Sequence, residues 1–254
     1  MIQCISVENM RLSDQMTIAT LTPSLELMQR AAYGVFKAVN WSGRIAIVVG
    51  SGNNGGDGFA LACILHKHGL PSSIYTVSFQ LSSDSSFYAS EASKHGIPIG
   101  PFYSGCLRNF DIIVDCLLGT GFQGKLRQQY KIPVEEINAS DAYVVSVDIN
   151  SGMNGDSGSA SIAVISDLTV TIGYVKRGLI TSEASRYIHR LVCTDIGIRL
   201  AYDEDYIYSE DEWFRFCGQY RLNPDHSIYT VNGTVYHRCP SYLNMCVIPS
   251  CDGS

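Results

Sequence analysis

The run Arg44-Ile45-Ala46-Ile47-Val48-Val49 is nearly all apolar, ends in Gly50-Ser51-Gly52-Asn53-Asn54-Gly55-Gly56-Asp57-Gly58, and leads into a helical pattern from Phe59 to His68. A strand with no polar alternation has no solvated face, so it belongs in the middle of a parallel sheet covered on both sides. Parallel neighbours need crossover connections, and the helix that follows at once supplies the first of them. This one segment therefore narrows the fold class to layered α/β.

The same grammar recurs. Ser73 to Phe79 reads as a strand and Ser86 to His95 as a helix; Asp111 to Leu117 reads as a strand and Val134 to Ala139 as the end of a helix. Ala142 to Val147, Leu168 to Ile172 and Leu191 to Cys193 are further β-branched runs. Upstream, Ser6 to Met16 opens on a capping residue, and Leu25, Met28, Ala32, Val35, Phe36 and Val39 repeat at helical spacing, so two helices precede the first strand. The expected architecture is a three-layer α/β/α sandwich around a doubly wound, mostly parallel, Rossmann-like sheet. Past Ile198 the pattern turns polar and rich in Tyr and Cys, which places a boundary near residue 200, with 1–200 as the domain and 201–254 as an extension of unknown role.

Composition bears on partners. A net charge of −6 argues against a general nucleic-acid binder, which needs clustered Lys and Arg. No apolar run approaches the roughly 18–20 residues of a membrane span, and the first fifteen residues carry Glu8, Arg11 and Asp14 in place of a signal peptide's apolar core. Nine scattered cysteines without a C-x-x-C pair suit a reducing cytoplasm; Cys63, Cys116 and Cys193, in apolar stretches, read as packing residues.

Within the first glycine loop, G-S-G-N-N-G satisfies G-x-G-x-x-G in the strand-to-helix context that gives the pattern meaning. Glycines let backbone N–H groups approach an anion, and the helix N-terminus adds about half a positive charge. The plain alternative is a tight turn with Asp57 as a helix cap. A second match, Gly119-Thr120-Gly121-Phe122-Gln123-Gly124, follows the strand Asp111 to Leu117, and Asp148-Ile149-Asn150-Ser151-Gly152 follows the strand Ala142 to Val147. Loops at strand carboxyl ends converge where strand order reverses, the usual ligand site of an open α/β sheet. An ordinary dehydrogenase carries an acid about 20 positions past the first loop to hold the ribose. Here the second strand ends Ser78-Phe79-Gln80-Leu81 and the next acid is Asp84, which disfavours that pose but not a nucleotide ligand.

Four ordered motifs, G-S-G-N-N-G-G-D-G, D-C-L-L-G-T-G-F-Q-G, V-D-I-N-S-G and T-V-T-I-G-Y-V-K-R-G-L, together resemble the NAD(P)H-hydrate epimerase family over residues 5–200. The resemblance implies an isomerase of metabolite repair that interconverts the R and S forms of 6-hydroxylated NADH or NADPH, so that a partner dehydratase can restore the cofactor. It implies substrate contacts from Asn53, Asn54, Gly55, Gly56 and Asp57, from Gly119, Thr120, Gly121, Phe122, Gln123, Gly124 and Lys125, and from Asp148. It further implies one potassium ion per subunit on Asn54, Asp115 and Ser151, all oxygen donors as a hard cation requires. Homodimerisation through the amino-terminal helices belongs to the same expectation.

A chemical route follows from what such a substrate is. Loss of the C6 hydroxyl leaves a cationic ring, and water then adds on the other face, which calls for an acid and a base. Asp148 is the candidate for that work, with an N-cap or turn acceptor as its plain alternative. Lys176 is open between a solvated surface lysine and a group that serves a phosphate or the proton transfer.

The chain departs from the family pattern at Asn150 and Lys125, where proline is usual, and at Asn154, often an acid. Loss of proline frees φ, so a looser site is expected. Residues 203–227 resemble the linker that joins an epimerase to a dehydratase in fused proteins, but no kinase-like motifs follow. His237, Cys239, Cys246 and Cys251 lack the ligand spacing of known zinc sites, and Asn232-Gly233-Thr234 is a glycosylation acceptor without a secretory signal. Besides the enzyme, a nucleotide-binding scaffold module is the other class this fold serves.

Overall fold

The computed structural model describes residues 2–78, 80–208, 210–226, 228–231, 234–239 and 244–248. In chain order the elements are β1 (Ile2–Ile5), α1 (Val7–Thr20), α2 (Ser24–Ala38), β2 (Ile45–Val49), α3 (Asn53–Lys67), β3 (Ser72–Thr76), α4 (Ser83–Lys94), β4 (Ile99–Pro101) and β5 (Ile112–Cys116). They continue with α5 (Gln128–Asn138), β6 (Tyr143–Val147), β7 (Leu168–Ile172), β8 (Val175–Lys176), β9 (Arg190–Thr194), β10 (Asp205–Tyr208), α6 (Glu210–Tyr220), β11 (Ile228–Val231), β12 (Thr234–Arg238) and β13 (Asn244–Ile248).

The main sheet has the order β13-β9-β7-β6-β5-β2-β3-β4, and every neighbouring pair in it is parallel. The two faces of β2 are covered by different helices. Ile45, Ile47 and Val49 pack with residues of α2, α3 and α4, while Ala46 and Val48 pack with Tyr130, Val134 and Ile137 of α5. The period of two thus divides one apolar strand between two helical layers, each buried aliphatic side chain contributing roughly 1.5–3 kcal/mol. This is the doubly wound α/β/α sandwich expected from the repeated strand–helix grammar.

Strand order reverses between β2 and β5: the chain runs outward from β2 through β3 to β4, then returns to β5 on the other side of β2. The loops that follow β2 and β5 therefore open a crevice between them.

β1 stands before the two amino-terminal helices, so they do not precede the first strand as expected, and the glycine loop also differs from expectation. α3 starts at Asn53, six residues before Phe59, so the second half of the glycine loop is helical. α1 is held by a polar seam: Asn9, Ser13 and Thr17, spaced four apart and each fully buried, bond to the segment 199–202. Ser6 caps α1, accepting from the Asn9 N–H at 3.1 Å, and its own N–H and hydroxyl both donate to Glu204 at 2.5 and 3.0 Å.

Across the boundary near residue 200 the chain is continuous with the rest of the molecule. β10 pairs antiparallel with β1, which pairs with β8, in a second sheet ordered β11-β12-β10-β1-β8. Trp213, Phe216 and Cys217 are buried against Tyr208, Leu222, Tyr229 and Tyr236, so β10, α6, β11 and β12 share a small aromatic core and are not a loosely packed tail. Among the described residues no group of three or more His, Cys, Asp or Glu side chains is placed to hold a metal ion, and His237 faces Asp205 at 3.3 Å. Cys251, Asn232 and Gly233 lie outside the described residues. Cys116 and Cys193 are buried and Cys63 half-buried, as packing residues should be, and burial pushes the Cys116 thiol well above its usual range.

Candidate active site

A cleft of about 580 Å³ lies at the switch point. Its walls are Met10, Arg11, Asp14, Gln15 and Ile18 of α1, Leu27 and Met28 of α2, the loop Ser51–Asn54, the loop Leu117–Phe122, and Asp148 and Lys176. Asp57 and Asp84 also reach it.

The glycines divide into two kinds. A Cβ on Gly55 would stand 2.3 Å from the Gly50 carbonyl oxygen, and one on Gly58 would stand 2.8 Å from the Val49 side chain. Those glycines let α3 lie against the strand ends. Gly52 and Gly121 have nothing within 4 Å of such a Cβ, and both line the cleft. Bare backbone is thus offered to a ligand at these two positions, next to the Asn53 and Asn54 N–H groups at the start of α3.

Asp148 follows β6 directly and has φ of 69°, a left-handed conformation rare for a residue with a side chain. The Ile149 N–H bonds back to the Val147 carbonyl at 2.9 Å, closing a three-residue turn with Asp148 at its centre. This strained turn aims the carboxylate at the cleft. Its Oδ1 accepts from Lys176 Nζ at 2.5 Å and its Oδ2 from the Thr120 N–H at 3.0 Å. The N-cap alternative for Asp148 fails, because no helix begins there.

Lys176 is fully buried, which corrects the solvated-lysine alternative. Besides Asp148, its ammonium donates to Thr171 Oγ1 at 3.1 Å and to the Ile172 carbonyl at 2.6 Å. An ammonium has three protons, so all are committed and none remains for a phosphate. Burial of the cation is tolerated because it is paired and fully hydrogen-bonded.

Asn54, Asp115 and Ser151 come together around the backbone of Leu118. Asn54 Nδ2 donates to the Leu118 carbonyl at 2.9 Å, and the Leu118 N–H donates to Ser151 Oγ at 2.9 Å. Ser151 Oγ in turn donates to Asp115 Oδ1 at 2.6 Å. Asp115 also takes the Leu117 and Ser151 N–H groups and the Ser146 hydroxyl, yet its burial outweighs them and raises its pKa above the usual carboxylate range. Asn54 Oδ1 is buried and has no partner among the described residues. A buried carbonyl oxygen left without a partner is an oxygen donor of the type that hard cations take.

Three further carboxylates, Asp14, Asp57 and Asp84, meet the cleft. Asp57 lies past the first turn of α3, whose cap is Gly52, so it is not the helix cap. Burial, then Asp148 and Asp14, push its pKa well up against the pull of Lys176. Asp14, which sequence motifs did not single out, has its pKa raised to about 6 by burial, with Lys176 opposing and Asp148 adding. Its one sequence signal is weak: it falls four residues after Met10 on the helix face that meets the cleft.

Gly55 and Gly56 are buried behind the cleft, and Gln123, Gly124 and Lys125 are exposed outside its lining, whereas Asn53, Asn54, Asp57 and Gly119–Phe122 line it. Asn150 is fully buried. Its Nδ2 is 2.9 Å from the Val164 and Tyr187 carbonyls and 3.0 Å from Ser166 Oγ, and its Oδ1 accepts from Thr169 Oγ1 at 2.6 Å. A buried polar network here replaces the rigidity that a proline ring would give. Asn154 lies outside the cleft and accepts the Asp156 and Ser157 N–H groups in a local turn.

Comparison with known proteins agrees with this geometry. The chain is 37% identical over 201 residues to the NAD(P)H-hydrate epimerase of Limosilactobacillus fermentum, covering 76% of this chain and 96% of that one. It is 32% identical over 219 residues to the bifunctional NAD(P)H-hydrate repair enzyme Nnr of Coxiella burnetii, covering 84% of this chain but only 45% of that enzyme. Among solved structures, yeast ynu0 (YNL200c) superposes with a TM-score of 0.64 at 20% identity, over 70% of this chain and 83% of that one, and shares the fold. The family model described as YjeF-related protein N-terminus matches residues 24–178, and the chain belongs to that family.

Proposed function

We propose that this chain is an NAD(P)H-hydrate epimerase, an isomerase that interconverts the R and S forms of NADH or NADPH hydrated at C6. The observation that carries this is the carboxylate of Asp148, held in a left-handed turn at the cleft and fixed by Lys176 and the Thr120 N–H. A module that only bound nucleotides would have no need of a buried, fully committed lysine behind that carboxylate. The names of its relatives agree with the chemistry.

The substrate's pyrophosphate is received by backbone N–H groups at the start of α3 and by the bare backbone at Gly52 and Gly121, since the Lys176 ammonium is fully committed. The nicotinamide end then lies deeper, against Asp148. Cleavage of the C6–O bond is assisted by the ring nitrogen lone pair and by a proton given to the departing oxygen. Water adds to the other face of the cationic ring and loses a proton. Asp148 exchanges a proton with one of these oxygens, and Lys176 holds its carboxylate in place and stabilises its charge.

Asn54, Asp115 and Ser151 would hold a potassium ion, with the Asn54 Oδ1 as its most available donor. That ion supplies positive charge beside a cleft where Asp14, Asp57, Asp84 and Asp148 outnumber Arg11 and Lys176. A dehydratase acting on the S form is the functional partner. Among the described residues no helix is long and apolar enough to cross a membrane.

The test follows conversion of the R hydrate of NADH to S by chromatography in potassium buffer, with the spontaneous rate subtracted. Wild type accelerates the conversion, sodium in place of potassium slows it, and Asp148→Asn brings it to the spontaneous rate. Turnover by Asp148→Asn equal to wild type would remove Asp148 from the mechanism.

A further inference from the structure

Epimerisation at a single carbon uses both faces of the ring, because hydroxide leaves from one and water arrives at the other. A carboxylate fixed on one wall of a cleft serves one face. Asp148 is so fixed: each of its oxygens is tied, one to Lys176 and one to the Thr120 N–H, at the strand-end wall. The helix wall, formed by α1, presents a second carboxylate, Asp14.

Asp14 is half-buried and, among the described residues, takes part in no hydrogen bond or ion pair. Its mounting is rigid, because its neighbours Ser13 and Thr17 bond to residues 199 and 201. A helix normally leaves such an acid in water or pairs it, and this one is turned into the cleft with its lone pairs unused.

We propose that Asp14 is the second proton-handling group of the epimerase, serving the ring face turned away from Asp148. In one direction the C6–O bond breaks with its electron pair on oxygen, which takes the Asp14 proton and departs as water, while the ring nitrogen lone pair forms a C6–N double bond. Water attacks C6 from the other face, the double-bond pair returns to nitrogen, and the surplus proton passes to Asp148. The reverse direction exchanges the roles, and the two acids re-equilibrate through cleft water. The balance is one proton out of Asp14 and one into Asp148, with nothing oxidised or reduced. This assignment rests on the epimerase function.

A pKa of about 6 suits the role, since a group that must both give and take a proton works best near the operating pH. The charged groups facing Asp14 in the cleft are Arg11 on α1, Asp57 on α3, Asp84 on α4, Asp148 after β6 and Lys176 on β8. Burial sets the direction of the shift, Asp148 reinforces it and Lys176 limits it.

The experiment compares wild type, Asp14→Asn and Asp14→Glu on the R hydrate of NADH between pH 5 and 9, alongside thermal unfolding and the binding of NADP⁺. Asp14→Asn should lower kcat on the order of 100-fold or more with KM and NADP⁺ binding little changed. The limb of the kcat/KM profile near pH 6 should vanish in Asp14→Asn and return, shifted, in Asp14→Glu. A kcat within about twofold of wild type in Asp14→Asn, or a raised KM at unchanged kcat, would overturn the assignment. Should Asp14→Asn unfold, the Asp14→Glu profile decides alone, and an unshifted limb counts against Asp14. Wild type no faster than the spontaneous rate would instead overturn the epimerase function.

Discussion

Asp148 and Lys176 show what single residues can and cannot disclose. Asp148 was singled out because it stands in the motif V-D-I-N-S-G directly after a buried strand, on the rim where strand-end loops converge. The burial of Lys176 was not, because it depends on Thr171 Oγ1 and the Ile172 carbonyl standing where its remaining protons point, and no spacing rule encodes that. Asp14 was hidden for a similar reason: on a helix held by buried Asn9, Ser13 and Thr17, hydropathy does not reveal which face meets the cleft. The buried pair also predicts its own stability effects. Asp148→Asn leaves an ammonium without its counter-charge, and breaking a buried pair from one side costs about 3–5 kcal/mol. Lys176→Met removes the cation as well as its bonds, and in the double variant the uncompensated charge is gone. Urea unfolding should therefore show the double variant at least as stable as Asp148→Asn alone. Strict additivity of the two losses would mean that the pair is not coupled.

Among the elements, α3 separates the two uses of glycine in a motif that reads as one. Sequence gives the pattern G-S-G-N-N-G but not the depth at which each glycine sits, so the helix was expected to start at Phe59 when it starts at Asn53. Gly55 serves packing, since its Cβ would meet the Gly50 carbonyl, whereas Gly52 has open space and φ of −87°, which any residue adopts. Gly55→Ala should lose more than about 2 kcal/mol of stability through overpacking against rigid backbone. Gly52→Ala should stay within about 0.5 kcal/mol of wild type in unfolding. Its effect should appear in binding, because a methyl group would stand where ligand backbone contact is offered, and NADP⁺ titration should show weaker affinity. Equal stability losses in the two variants would dissolve the distinction between packing and ligand glycines.

Over the whole molecule, the segment past residue 200 bears on the cleft without touching it. The doubly wound class and both helical layers, though not the strand order, were readable from repeated strand–helix units, because each unit buries its own apolar face. The second sheet was not, because its strands are short and mixed in direction, and β10 finds its partner β1 at the far end of the chain. Glu204 accepts the Ser6 N–H and hydroxyl at the start of α1 and pairs with Arg177 at 3.1 Å, while Asp205 pairs with the same arginine at 3.0 Å. Arg177 follows Lys176, and α1 carries Asp14, so one pair of acids anchors the two elements that bring these residues to the cleft. A negative charge at a helix N-terminus is favourable in itself, and bonds to a charged group are worth about 1.5–3 kcal/mol each. Glu204→Ala removes the acceptor for both Ser6 groups and leaves Arg177 to Asp205 alone. Unfolding should shift to lower urea by an amount worth about 1–3 kcal/mol. Epimerase kcat should fall as well, although Glu204 lies outside the cleft lining, because α1 would be free to fray at its first turn. A variant that loses stability but keeps full kcat would show that the second sheet supports the fold alone, and that the position of Asp14 is set entirely by the buried polar seam of α1.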